Sequence, residues 1–169
     1  MLSWLLHDEM GFVGDSLTYD DLANANLIQL FERRRGLPVT LGIVWIHAAQ
    51  AAGWEAYGVN FPGQFLVGLA AGNRQVLLDV FDGGRVLDPD DLRELLRRLQ
   101  GRRVALRRDM LEPMSHRAVL LRMQGNIRSR QEQQGQFGAA LATTIDMQRI
   151  APLDPGLRLD ADRLRGQLN

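Results

Sequence analysis

Three observations predict an α+β fold. Helix signals fill the first third and end at Gly53. The segment from 55 to 81 breaks into three strand-length pieces divided by Pro62-Gly63 and Gly72-Asn73. From Pro113 onward the pattern is helical again. The expected layout is a central buried helix packed on a small antiparallel sheet, followed by a C-terminal helical hairpin, with a core over 1–110 and the hairpin over 111–169.

In chain order, Gly11, Gly14 and Asp15 mark an early loop. Asp20 or Asp21 is then expected to cap a helix whose apolar face carries Leu27, Leu30 and Phe31. Arg33, Arg34 and Arg35 end that helix, where cations suit the dipole, and Gly36 and Pro38 stop it. A second helix spans 39–52. It is apolar nearly all round (Leu41, Ile43, Val44, Trp45, Ile46, Ala48, Ala49), as a central helix is. Strands follow at 55–60, 65–69 and 75–81, then a turn at Asp82-Gly83-Gly84. Asp88 caps another helix with Pro89 in its first position, Leu92, Leu95, Leu96 and Leu99 inward, and Gly101 at its end. A long, polar-faced helix covers 113–134, Gly135 breaks it, and a second runs to about Ala151. Pro152 and Pro155 stop that one, with room for a short terminal helix.

Composition excludes whole classes of chemistry. The 169 residues contain no cysteine, so disulfides, thiolate metal sites and a cysteine nucleophile are all ruled out. The 20 basic residues are all arginine, which removes Schiff-base lysine chemistry and a P-loop lysine. They balance 20 acidic residues, and a net charge of zero argues against a general nucleic-acid binder. No signal peptide and no apolar run of roughly 20 residues is visible, so a cytoplasmic protein without a membrane span is expected. Phosphate-loop, dinucleotide, zinc-protease and nucleophile-elbow motifs are absent, and His7, His47 and His116 lack ligand spacing. Neither a cofactor nor a metal is expected.

One combination is distinctive. Asn26-Leu27 leads into Glu32-Arg33-Arg34-Arg35-Gly36-Leu37-Pro38-Val39-Thr40-Leu41 and on to Ala52-Gly53. Phe61-Pro62-Gly63-Gln64-Phe65-Leu66-Val67 and Leu78-Asp79-Val80-Phe81-Asp82-Gly83-Gly84 follow in order. With Gly11-Phe12-Val13-Gly14 and Tyr19 upstream, this resembles the SirB-type transglutaminase-like domain over roughly Leu5 to Leu99. The resemblance implies a papain-like transglutaminase fold, with a cysteine at the N-terminus of the buried helix and a histidine and an aspartate on neighbouring strands. By position these three fall on Thr40, Gln64 and Asp79.

Two of the three depart from the active pattern. A threonine hydroxyl needs a strong general base, and a glutamine amide does not titrate near neutrality. The resemblance therefore implies a non-catalytic transglutaminase-like module with a binding or regulatory role and a protein partner, or a second copy, as its ligand. Two other readings stay open. One is a hydrolase or transferase using a non-cysteine site in the same cleft, drawing on Thr40, His47, Gln64, Asp79 and Asp82. The other is an anion or nucleic-acid surface made by Arg33, Arg34 and Arg35 with Arg97-Arg98, Arg102-Arg103 and Arg107-Arg108. Each triad position also has an ordinary reading: Thr40 as a helix cap, Gln64 as a loop hydrogen bonder, Asp79 as a strand-end group.

Members of this family carry tetratricopeptide-like helices after the core. Gly135, Phe137, Ala140 and Pro152 match the second half of such a repeat, while the first half lacks its aromatic and glycine positions. The family also begins with further helices upstream of the Gly11-Phe12 region. Here Met1 lies only about ten residues before it, which leaves Leu2, Trp4, Leu5 and Leu6 as apolar surface for a partner.

Overall fold

The computed structural model describes residues 1–71, 74–101 and 104–168. The turn expected at Gly72-Asn73 and the pair Arg102-Arg103 lie outside the described residues. A π-helical turn, Trp4–Glu9, opens the chain and buries Leu6. Strand β1 (Val13–Gly14) follows, then a 3₁₀ turn (Leu22–Ala25), helix α1 (Leu27–Arg33) and strand β2 (Arg35–Gly36), which pairs in parallel with β1. Helix α2 (Pro38–Ala51) leads into β3 (Glu55–Val59), β4 (Leu66–Ala71), β5 (Arg74–Asp79) and β6 (Arg85–Leu87). Helix α3 (Pro89–Gln100) and strand β7 (Pro113–Met114) complete the mixed part. Helices α4 (His116–Gln133), α5 (Phe137–Ile150) and α6 (Pro155–Gly166) close the chain.

The α+β prediction holds. The five-stranded sheet is antiparallel throughout, in the order β6-β5-β4-β3-β7. Its pleat sends alternate side chains to two cores. Ala56, Val67 and Leu78 face α2 together with Val80, whereas Val59, Leu66 and Leu87 face Leu92, Leu95 and Leu96 of α3. Helix α2 is apolar on nearly every side because it is wrapped on nearly every side. Leu41, Trp45, Ile46 and Ala49 are all buried.

Several boundaries differ from the sequence reading: Pro113–Met114, expected to open the long helix, form edge strand β7, and the helix begins at His116. Asp21 caps the short 3₁₀ turn through Ala23 N–H, and Asn26 caps α1 by accepting from Ile28 and Gln29. The tight turn consumes the aspartate, so the α-helix takes the next oxygen-bearing side chain. The hairpin is a three-helix unit. Asp154 caps α6 by accepting from Gly156 N–H at 2.9 Å, with Pro155 in its first helical position. Asp88 meets its expectation with a reciprocal capping box, accepting from Asp90 and Asp91 at 2.8 Å while the Asp91 carboxylate accepts from Asp88 N–H.

Close packing fixes the region around Gln64. The Phe65 ring lies in a slot between α2 and β3. A Cβ on Gly42 or on Gly58 would collide with it, so both walls of the slot are glycine. Gly84, at φ +78°, turns the chain past the buried indole of Trp45 with no room for a side chain. The turn between β5 and β6 cannot shift without moving α2.

Candidate functional site

Pro38 occupies the first turn of α2, where a missing N–H costs nothing, and Leu37 precedes it in extended conformation. Thr40 therefore sits in the third helical position, fully buried. Its hydroxyl is 2.7 Å from the Asn24 carbonyl oxygen and 3.0 Å from that of Leu37, and it donates its single proton there. It does not cap the helix, since a cap accepts from backbone N–H groups and this hydroxyl gives to carbonyls.

The loop that supplies Asn24 is itself braced. Asp15, almost wholly buried, accepts from Leu17 N–H, Thr18 N–H and the Thr18 hydroxyl, at 3.1, 2.9 and 2.6 Å, and pairs with Arg33 at 3.3 Å. The Thr18 hydroxyl and N–H hold the Asp15 carboxyl below the usual carboxylate range despite burial. Asn24 donates to the Thr18 carbonyl at 2.6 Å and also accepts from Leu37 N–H.

Gln64 and Asp79 do meet. Gln64 Nε2 lies 3.4 Å from both Asp79 carboxylate oxygens, long for hydrogen bonds, and Phe81 N–H donates to Asp79 at 3.1 Å. Burial pushes the Asp79 carboxyl above its ordinary value. The Phe81 and Asp82 N–H groups and the Gln64 amide pull it partly back. Asp82 contributes that backbone N–H and, as the smallest cause, a like charge that raises Asp79; its side chain is exposed and pairs with Arg85 at 3.4 Å.

Where Gln64 faces the start of α2, the free space is a notch of about 20 Å³, enough for one water molecule. Leu37, Pro38 and Val39 line its floor, Gly63, Gln64 and Phe65 one wall, and Tyr19, Arg122 and Asn126 the rest. Thr40 is not in the lining. Sequence reasoning missed the covering side chains. Arg122 and Asn126 belong to α4, whose polar residues carry no local signal that marks them as facing a cleft.

The other candidates lie elsewhere. His47 is exposed and lines a separate, mostly apolar groove of about 210 Å³ between α2 and α4, with Ile43, Ile46, Gln50, His116, Val119 and Leu120. Arg33 is paired with Asp15 and Asp21. Arg34, left-handed at φ 59°, stacks its guanidinium 4.7 Å from the Phe12 ring centre, and Arg35 is exposed in β2. Arg97 pairs with Glu94 and Arg107 with Asp109, both at the surface. Among the described residues, no three carboxylate or imidazole side chains form a group able to hold a metal ion. No described helix is long and apolar enough to cross a membrane.

A buried helix whose N-terminus faces a loop glutamine, itself beside an aspartate at the end of a strand in an antiparallel sheet, has the layout of the transglutaminase-like class. The chain belongs to the transglutaminase-like superfamily, whose family model matches residues 1–125. Among its relatives is a UPF0162 protein of Xylella fastidiosa, 34% identical over 153 residues, which cover 89% of this chain and 54% of that protein. A UPF0162 protein of Pseudomonas aeruginosa is 35% identical over 147 residues, covering 87% of this chain and 52% of the relative. Mouse F-box only protein 21 is 30% identical over 81 residues, or 48% of this chain and 13% of that protein. The chain thus spans about half the length of the bacterial relatives it matches. No solved structure matches it.

Proposed function

We propose that this chain is a non-catalytic transglutaminase-like domain, of SirB type, acting in the cytoplasm as a binding or regulatory module, with its closing helices a tetratricopeptide-like appendage. One observation carries the reading: at the position implied for the nucleophile, a buried hydroxyl donates to the Asn24 carbonyl, with no base within its hydrogen bonds. A hydroxyl without a base does not attack an amide at neutral pH. Gln64, beside Asp79, cannot take its proton. The one-water notch leaves no room for a substrate side chain.

The match to a small part of a much longer mouse protein supports reading the unit as a module that works within different chains. The test is an assay of the purified protein for ammonia release from glutamine peptides and for isopeptide cleavage, alongside Thr40→Val. No turnover above background is expected from either form. Turnover by the native protein that Thr40→Val abolishes overturns the reading.

A further inference from the structure

Helix α4 lies across the degenerate cleft, and the bonds that hold it there are unlike those that hold the core. Its Val119, Met123 and Ile127, spaced four residues apart, pack on the core around α2. Arg122 and Asn126, on the same helix, close the notch above Gln64. One turn further on, Arg130 is 5% exposed and ties the helix to the loop before α1. Its Nη2 donates to the Tyr19 carbonyl at 3.0 Å and approaches Asp20 at 3.5 Å, while its guanidinium carbon sits 5.2 Å from the centre of the Tyr19 ring. The Tyr19 ring in turn packs edge-on against Phe81, two residues from Asp79, and completes the notch. A single arginine therefore fastens α4, the Tyr19 loop and the mouth of the cleft together.

The fastening is imperfect. Nε of Arg130 and Nε of Arg122 are both buried without a hydrogen-bond partner, and Arg122 makes no ion pair among the described residues. Buried unsatisfied donors raise the free energy of the docked helix and bring its release closer to thermal reach. The rest of the helical unit is bound to α4 itself: α5 packs on α4 and α6 on α5, and Glu132 bridges Arg128 of α4 to Arg163 of α6. The unit has the means to leave as one body.

We propose that α4 is a strap latched by Arg130 over the transglutaminase-like cleft, and that its release opens the cleft. This rests on the binding-module reading and adds its regulation: in the closed state the cleft is occupied by the chain's own helix. Opening uncovers the N-terminus of α2 and the Gln64 amide, a polar mouth beside the apolar strip vacated by Val119, Met123 and Ile127.

A chain without cysteine allows a clean test, because any introduced thiol is the sole reporter. Val39→Cys places it at the floor of the notch, and Leu96→Cys places one in the second core, away from α4. Labelling by a soluble disulfide reagent under native conditions should be faster at position 39 than at 96. Arg130→Ala should speed labelling at 39 tenfold or more and leave position 96 unchanged. Should Arg130→Ala unfold the chain, seen as rapid labelling at 96, Arg130→Lys, which keeps the charge and loses the fork, provides the same comparison. Equal rates at 39 and 96, or no acceleration at 39 in the folded variant, overturn the strap. Turnover in the ammonia assay would overturn the module reading and leave the labelling ratio intact, so the two failures are distinct.

Discussion

Helices α2 and α4 both border the cleft, and they are held by opposite means. Helix α2 is gripped on nearly every side by apolar contact, with Leu41 and Trp45 fully buried and glycines at 42, 58 and 84 admitting neighbouring rings to contact. Helix α4 offers the core one apolar strip and one buried arginine, Arg130, tied to the Tyr19 loop, whereas its Arg128 and Glu132 join it to Asp160 and Arg163 of α6. Apolar burial of that completeness is costly to undo, whereas one arginine held to a backbone carbonyl and an exposed acid is adjustable. The helix at the floor of the notch is thus fixed by packing, and the helix over it by a single buried arginine beside an apolar strip.

The largest expected effect tests the first half of that contrast. Trp45→Ala removes the biggest side chain of the first core from a site closed by the backbone of Gly84, so the cavity cannot collapse. A loss of about 3–5 kcal/mol is expected in urea unfolding. The indole N–H has no hydrogen-bond partner, so the loss is one of packing alone. A cost below about 1 kcal/mol would mean that α2 is not the keystone described here.

A smaller effect probes the second half. Glu132→Gln removes the charge that joins Arg128 to Arg163, which lies 2.8 Å away. The Glu132 carboxylate, by hydrogen bonding, is also the main cause holding the Arg163 guanidinium above its ordinary value. The pairs are partly exposed and solvent-screened, so a loss of about 1 kcal/mol or less is expected. It should appear in hydrogen exchange of α5 and α6 and spare the strands. Equal loss of protection in β4 and β5 would show the helices and the sheet to be one cooperative block.

The same contrast explains what could be read from the sequence. Helix α2 was legible because its burial is written as a continuous apolar run with Pro38 before it and Gly53 after it. The strands were legible from their length and from the turn signal of Pro62-Gly63 between the first two. The pairing of Gln64 with Asp79 was implied by resemblance alone, since 15 residues of hairpin separate them. The direction of the Thr40 hydroxyl was not legible. It depends on the Asn24 carbonyl, placed by Asp15 and Thr18 at a distance in sequence that no pattern encodes. Nor was the cover: Tyr19 and Arg130 are 111 residues apart, and an arginine on a polar helix gives no hint that it will be buried against a distant backbone oxygen.

The subtlest prediction concerns the charge left behind at the cleft. Burial raises the Asp79 carboxyl above its unfolded value, so the folded chain binds that proton more tightly than the unfolded chain. Stability from this group is therefore complete below the ordinary carboxylate range of about 4 and declines as pH rises through the raised folded value. Asp79→Asn removes the titration. Its Oδ1 still accepts from Phe81 N–H, and Gln64 can turn its amide to accept from the new NH₂. The variant should match the native protein near pH 3 and be modestly more stable at pH 7, with a flatter profile between, measured by urea unfolding at fixed ionic strength. A variant less stable at pH 7 would mean that the N–H donors of Phe81 and Asp82 stabilise the carboxylate by more than burial costs it, and that the folded-state value lies below the ordinary one.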